Sequence, residues 1–322
     1  MVNTRPLCLP LQPLPVARPW GGRRVARRFG WRPGPDVVPG GGGDAAGGPI
    51  GEWWLASTYP GAVSPLRGHD MDLGQWLAGP GAVLRRRADS FPLLVKFLDT
   101  DQVLSLQVHP SDEVARHQGL PRGKTEAWYV LEAEPEAGVY VGTADGVKVA
   151  DLLDRVEAGA DDAAVRAALR FVPLQAGDTL LVDAGTVHAV GPGLTLYEVQ
   201  QNSDTTWRIH DWGRGRDVHL ARAREAAVDH PPPQVLRRKP RGDEWTPLIR
   251  GTAFALWHAR PGYELELTPA ADFAVVTVLA GHGEAVSHDE AIPLTAGDTL
   301  LVIGEATLLG DDLDLLCVEP PR

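Results

Sequence analysis

Four residues in three short stretches have the types and spacing of a metal site. They are Gln107 and His109 in Gln107-Val108-His109-Pro110, Glu126 in Lys124-Thr125-Glu126, and His188 in Gly185-Thr186-Val187-His188. Two imidazoles, a carboxylate and an amide oxygen make a divalent-metal site of mixed ligands. A closed structural zinc site usually takes four Cys or His ligands, whereas a catalytic one keeps a position open for water or substrate. The set reads as catalytic.

Strands must carry these residues. Short apolar runs at 91–98, 103–108, 127–131 and 138–141 are separated by turn residues, the pattern of an antiparallel β domain. Strands are expected again at 178–183 and 195–200. Between them, Leu152, Leu153, Val156, Val165, Ala168 and Leu169 follow a helical period, so 151–170 reads as a helical insertion. A further helix is expected over 218–228, ended by Pro231-Pro232-Pro233, since proline cannot continue a helix. Residues 33–49, mostly Gly, Pro, Asp and Ala, read as a flexible surface loop before the segment 50–57.

Composition excludes several function classes. The 322 residues suit about two domains, and 43% apolar with 23% charged residues is ordinary globular material. A net charge of -11 argues against a general nucleic-acid or membrane-surface role. The first 35 residues carry seven arginines and no acid. Trp20, Val25, Phe29 and Trp31 interleave these arginines as packing residues would, so a solvated surface segment is favoured over a nucleic-acid arm. No apolar run reaches the roughly 18 residues of a membrane span, and there is no signal-peptide-like hydrophobic stretch. Cys8 and Cys317 read as two free thiols. The expectation is a cytoplasmic protein.

The chain repeats itself. Ala176-Gly177-Asp178-Thr179-Leu180-Leu181-Val182 recurs as Ala296-Gly297-Asp298-Thr299-Leu300-Leu301-Val302, seven identical residues at an offset of 120. Upstream, Trp128-Tyr129-Val130-Leu131 resembles Val276-Thr277-Val278-Leu279 at an offset of 148, and the difference of 28 is close to the size of the helical insertion. In the second copy Leu308 stands for His188 and Glu305 for Gly185. Two such units, with Gly-Asp turns and inward-pointing ligands, look like cupins. The expected fold is mainly β, two cupin (jelly-roll) β-sandwich or barrel units with a small helical insertion. Residues 1–230 hold an N-terminal segment and the metal-binding catalytic cupin; 231–322 form a degenerate second cupin without metal ligands.

Longer motifs narrow the family. Phe91-Pro92-Leu93-Leu94-Val95-Lys96-Phe97-Leu98-Asp99 and Leu104-Ser105-Leu106-Gln107-Val108-His109-Pro110-Ser111-Asp112 resemble type I phosphomannose isomerases, the cupin mannose-6-phosphate isomerases, in their short bacterial form. The likeness continues through Gly123-Lys124-Thr125-Glu126-Ala127-Trp128-Tyr129, Gly185-Thr186-Val187-His188 and Gln200-Gln201-Asn202-Ser203-Asp204-Thr205-Thr206-Trp207-Arg208. It extends to Pro19-Trp20-Gly21-Gly22 and Arg216-Asp217-Val218-His219-Leu220. The chain departs from the family's Gly-Glu-Ser-Trp-Glu with Gly51-Glu52-Trp53-Trp54-Leu55, and the loop at 33–49 looks like an insertion.

The resemblance implies one zinc held by Gln107, His109, Glu126 and His188. It implies Arg208 as the catalytic arginine, and Lys96 and Lys124 as lysines of the substrate cleft, with Lys124 also a catalytic candidate. The implied reaction interconverts mannose 6-phosphate and fructose 6-phosphate by moving a proton between C1 and C2 through an enediol. A Lewis-acidic metal and an always-protonated arginine suit the charge that develops on the sugar oxygens. Lys96, Lys124 and Arg208 are the candidates to meet the phosphate. The base stays open between Lys124 and a metal-bound water, and the metal stays open too, because imidazole and carboxylate ligands also accept iron, cobalt or manganese. The alternatives are a non-catalytic sugar-phosphate-binding cupin and a metal-dependent cupin oxygenase, whose facial triad has no place for Gln107. The partner is a small-molecule sugar phosphate; monomer and homodimer both stay open.

Overall fold

The computed structural model describes residues 7–34, 37–39, 48–85, 91–288 and 290–321. The chain divides into two compact units, one of residues 15–52 and 97–237, the other of 1–14, 53–96 and 238–322.

The first unit is built on two sheets. One runs in the order Leu169–Pro173, Gly138–Thr143, His188–Val190, Leu106–Val108, Trp207–His210. The other runs Thr179–Val182, Glu126–Ala133, Leu194–Gln201, Leu93–Thr100, Ile50–Ala56, Leu14–Ala17. Each strand expected from the apolar runs is present. Most are apolar on both faces, because each sheet packs on a core: Trp128, Val130, Leu180 and Leu196 fill one, and Leu106, Leu152, Ile209 and Ala223 the other. The expected insertion forms two helices, Val149–Glu157 and Asp162–Ala167, and the last expected helix is Leu220–Ala226. Among the described residues the sheets do not close into a barrel.

The arginine-rich segment holds a helix that its sequence does not announce, Arg24–Phe29, with neither an acidic first turn nor a side-chain cap at its start. Tertiary contacts supply what the sequence lacks. Asp99 accepts the Val25 backbone N–H at 2.8 Å, and Arg24 pairs with Asp99 at 3.1 Å. Phe29 and Trp31 stack with Phe97 and each other, so the interleaved aromatics do pack. Of the loop at 33–49, residues 35–36 and 40–47 lie outside the described residues; Val38 bridges Val16.

The second unit centres on one sheet in the order Leu7–Leu11, Thr299–Ile303, Ala274–Ser287, Ala306–Glu319, Ala255–Ala259, Thr246–Arg250. Glu264–Leu267 pairs with Ala306–Glu319, and Glu290–Thr295 with Ala274–Ser287. The repeat is visible in the register. Leu180 faces Trp128 in the first unit and Leu300 faces Val276 in the second, matching both sequence offsets.

Candidate metal and active site

Three neighbouring strands of the first unit line up the site. His188 is the register partner of Gln107, and Gln107 is the partner of Arg208. Residues directly opposite in adjacent strands share a face, so all three point to one side of the sheet. His109 follows one residue beyond the strand Leu106–Val108, and Glu126 opens the strand Glu126–Ala133. Two local devices bring these ends together. Lys124 N donates to Pro110 O at 3.0 Å and Gly123 N to the Asp112 carboxylate at 2.8 Å; a Cβ on Gly123 would meet Asp112 N at 2.5 Å. The turn before His188 needs Gly185 at φ +90, and its N–H donates to His109 O at 2.8 Å.

The outcome is a buried cluster. The ligand atoms of His109, Glu126 and His188 lie within 4.8 Å of one another, the one such group of three among the described residues. His109 Nε2 is 3.4 Å from Glu126 Oε2, and His188 Nε2 is 3.2 Å from Oε1. Each ring is oriented from behind: His109 Nδ1 donates to Thr205 O at 2.8 Å, and His188 Nδ1 to Thr186 O at 2.9 Å. Metal-binding imidazoles are commonly held this way, with one nitrogen on a carbonyl and the other facing the ion. Gln107 completes the group with its amide 3.2 Å from His188 Nε2.

The electrostatics suit a cation. Burial, reinforced by the Lys124 ammonium, pushes His109 down to about 3, so the imidazole is the neutral ligand form. Burial alone would raise Glu126, but Lys124, then His109 and His188, outweigh it and hold the carboxyl well below its ordinary value. Glu126 Oε2 is fully buried and receives no well-aligned hydrogen bond, although Lys124 Nζ lies 2.7 Å away. Lys124 and Glu126 thus form an ion pair that leaves Oε2 with unmet acceptor capacity. A buried acceptor left in that state fits an ion.

Lys124 occupies part of that place itself, with Nζ 3.1 Å from His109 Nε2. Behind it stands Glu198, a residue the sequence reading did not single out, with Oε1 3.8 Å from Lys124 Nζ and 3.4 Å from Trp128 Nε1. The signal was available: Glu198 is an acid in the middle of the apolar strand Leu194–Gln201. A second missed feature answers the departure at 51–55. Glu52 binds Arg18 through two hydrogen bonds of 2.9 and 3.2 Å, and Arg18 reaches Asp204 at 3.6 Å. Arg208 is buried, and its Nη1 donates to Asp217 O at 2.6 Å. Lys96 is buried in Leu93–Thr100 with its ammonium 5.9 Å from the Trp54 ring centroid. His210 Nε2 is 2.8 Å from Asp162 Oδ1, and His219 Nδ1 accepts the Arg208 backbone N–H at 3.1 Å.

Known proteins share this arrangement of chain. The family model for the catalytic domain of type I phosphomannose isomerase matches residues 10–147, which include Gln107, His109, Lys124 and Glu126. A mannose-6-phosphate isomerase of Streptococcus mutans is 31% identical over 295 residues, covering 88% of this chain and 88% of that protein. A mannose-6-phosphate isomerase of Bacillus subtilis is 34% identical over 238 residues, covering 69% of this chain and 73% of that protein. The crystal structure of a mannose 6-phosphate isomerase from Bacillus subtilis matches with a TM-score of 0.79 at 25% identity, over 98% of this chain and 100% of that one.

Proposed function

Because the chain belongs to the type I phosphomannose isomerase family, we propose that it is a zinc-dependent isomerase of mannose 6-phosphate and fructose 6-phosphate working through an enediol. The observation that carries this reading is the buried convergence of His109, Glu126 and His188 in register with Gln107 and Arg208. Residues 1–230 would hold the catalytic cupin and 231–322 a degenerate copy, with the protein acting in the cytoplasm.

Gln107, His109, Glu126 and His188 would hold the ion. When bound, zinc supplies a Lewis acid for charge developing on the sugar oxygens. Arg208 adds a fixed, always-protonated donor on the same face of the sheet, in a buried site where such donors act strongly. Lys124, bearing three donors, stands between Glu126 at 2.7 Å and Glu198 at 3.8 Å. Its ammonium would donate to a substrate oxygen, and Lys124 and Arg208 would add positive charge suited to a phosphorylated sugar. The His109, His188 and Trp128 rings are themselves buried.

Isomerisation of mannose 6-phosphate, measured before chelation, after it, and after zinc is returned, tests this reading. Turnover lost with chelator and regained with zinc supports the reaction and the metal together. Fully metallated protein without turnover removes the isomerase assignment for this sugar.

A further inference from the structure

We propose that Asp211 is the positioning residue for Arg208, acting as the shared anion of an arginine cluster in the turn 211–217. This role rests on the reading of Arg208 as the arginine that meets the substrate.

In the turn 211–217 the Arg208 guanidinium meets a backbone acceptor by a hydrogen bond and a carboxylate at ion-pair distance. Nη1 donates to Asp217 O at 2.6 Å, and Nε stands 3.8 Å from Asp211 Oδ1. Asp211 controls both. Its buried carboxylate takes Arg216 Nη2 and Nε on Oδ1 at 2.7 and 3.1 Å, Arg216 Nε on Oδ2 at 3.2 Å, and the Arg216 backbone N–H on Oδ2 at 3.0 Å. Arg214 Nη2 approaches Oδ1 at 3.1 Å. The grip on Arg216 therefore fixes the backbone that presents Asp217 O, the acceptor for Arg208 Nη1.

One carboxylate thus faces three guanidinium groups, all mostly buried. Without it, the cations would repel one another at short range in a poorly solvated place. Arg208 is the member of the cluster on the face of the site. Burial alone would raise the Asp211 carboxyl, but the Arg216 hydrogen bonds and the Arg216 and Arg214 charges outweigh it and keep it ionised.

The turn is rigid enough to transmit this hold. Trp212 sits at φ +52, a conformation a bulky residue keeps only where its surroundings enforce it. Its Nε1 donates to Leu104 O at 2.6 Å, Arg166 covers its ring at 4.2 Å, and Arg214 Nη1 donates to Val103 O at 2.7 Å. Those carbonyls belong to the segment that leads into Gln107. The turn is therefore tied to the strand that carries the ligands, and Asp211 sets where Arg208 stands relative to it.

Asp211→Asn in the zinc-loaded protein tests the role, because it keeps size and removes the charge. The expected result is a kcat lower by about 100-fold, the scale of an angstrom-level misplacement, with zinc content unchanged and KM altered by much less. On an Arg208→Lys background the same substitution should cost less than about twofold, since sites acting through one another are not additive. Asp211→Glu should recover part of the loss. An equal loss in both backgrounds, or a loss that merely follows a falling Tm, overturns the proposal. A crystal structure of Asp211→Asn gives an independent arm: the Arg208 guanidinium should shift, and an unmoved guanidinium also overturns it. If the wild-type protein shows no isomerase activity, the proposed function fails, while this structural arm still decides whether Asp211 positions Arg208.

Discussion

The two copies of the repeated β unit have the same register and opposite interiors. In the first copy His188 faces Gln107; in the second Leu308 faces Leu265. Glu126 faces Val182 in the first and Ala274 faces Val302 in the second. Two residues on from Gln107 and Leu265 stand His109 and Leu267. The site positions Gln107, His109, Glu126 and His188 thus become Leu265, Leu267, Ala274 and Leu308, all members of one apolar core. Even Glu198, which faces Trp128, becomes Cys317, which faces Val276. The strand framework is indifferent to what fills it. A buried leucine contributes about 1.5–3 kcal/mol, whereas a buried carboxylate and imidazole pair costs free energy unless something compensates it. The first copy therefore gives up stability at a handful of positions, among them the buried His109, Glu126 and His188 group that could hold a metal.

Exchanging residues between the copies should break the comparison most sharply at His188. His188→Leu is expected to lower isomerase turnover by about 1,000-fold or more, the scale of several kcal/mol of lost charge stabilisation, and to leave well under one zinc bound. Turnover near the native level, measured alongside metal content, would remove His188 from the ligand set. The reciprocal Leu308→His should leave turnover per folded molecule intact and lower stability by about 2–4 kcal/mol, read from denaturant unfolding, because a lone imidazole would be buried among apolar side chains.

That contrast also explains what the sequence could and could not reveal. The Ala-Gly-Asp-Thr-Leu-Leu-Val repeat, the ligand motifs and most strands are local patterns, and local spacing is what a sequence displays. Arg24–Phe29 was hidden because its helix is held by Asp99, some seventy residues away in sequence, rather than by its own caps. Glu198 stands out as an acid in an apolar run, but its strand is buried on both faces, so no alternation marks which side it serves. The pairing of Arg18 with Glu52 and the gathering of three arginines on Asp211 likewise depend on partners that only the fold brings together. Neither did the order of the sequence reveal that residues 53–96 group with 238–322.

Acid titration sharpens the same comparison through His109, whose counterpart Leu267 cannot titrate. His109 is held neutral, pushed down to about 3, against an ordinary value of about 6.5 when unfolded. Between these values the unfolded chain takes up a proton that the folded chain refuses. Stability must then fall as pH falls from about 6.5 toward 3, and it is fully regained above 6.5. In chelated protein, His109→Leu should flatten the dependence of unfolding free energy on pH between 4 and 6 by close to one proton. An unchanged slope would mean that His109 is not held neutral in the folded state.

Where the copies keep the same residues, substitutions should have small and matching effects. Each copy makes one Gly-Asp turn before its repeated strand, with Gly177 at φ +89 and Gly297 at φ +96. In each, the aspartate accepts the N–H of the residue three positions earlier, Gln175 to Asp178 at 3.1 Å and Thr295 to Asp298 at 2.8 Å. In each, its own N–H returns to that residue's carbonyl at 3.0 Å. Each carboxylate also meets an arginine, Arg237 at Asp178 and Arg67 at Asp298. Asp178→Asn and Asp298→Asn should each lower stability by about 1 kcal/mol, the ordinary net worth of such a hydrogen bond, and leave zinc binding and turnover intact. Asp178 is the more buried of the two, so its loss should be the larger. A fall in turnover per folded molecule for Asp178→Asn alone would show that the turn of the copy holding His109, Glu126 and His188 does more than shape the chain. Equal, purely structural losses would show that the copies diverged only in the residues that face the interior.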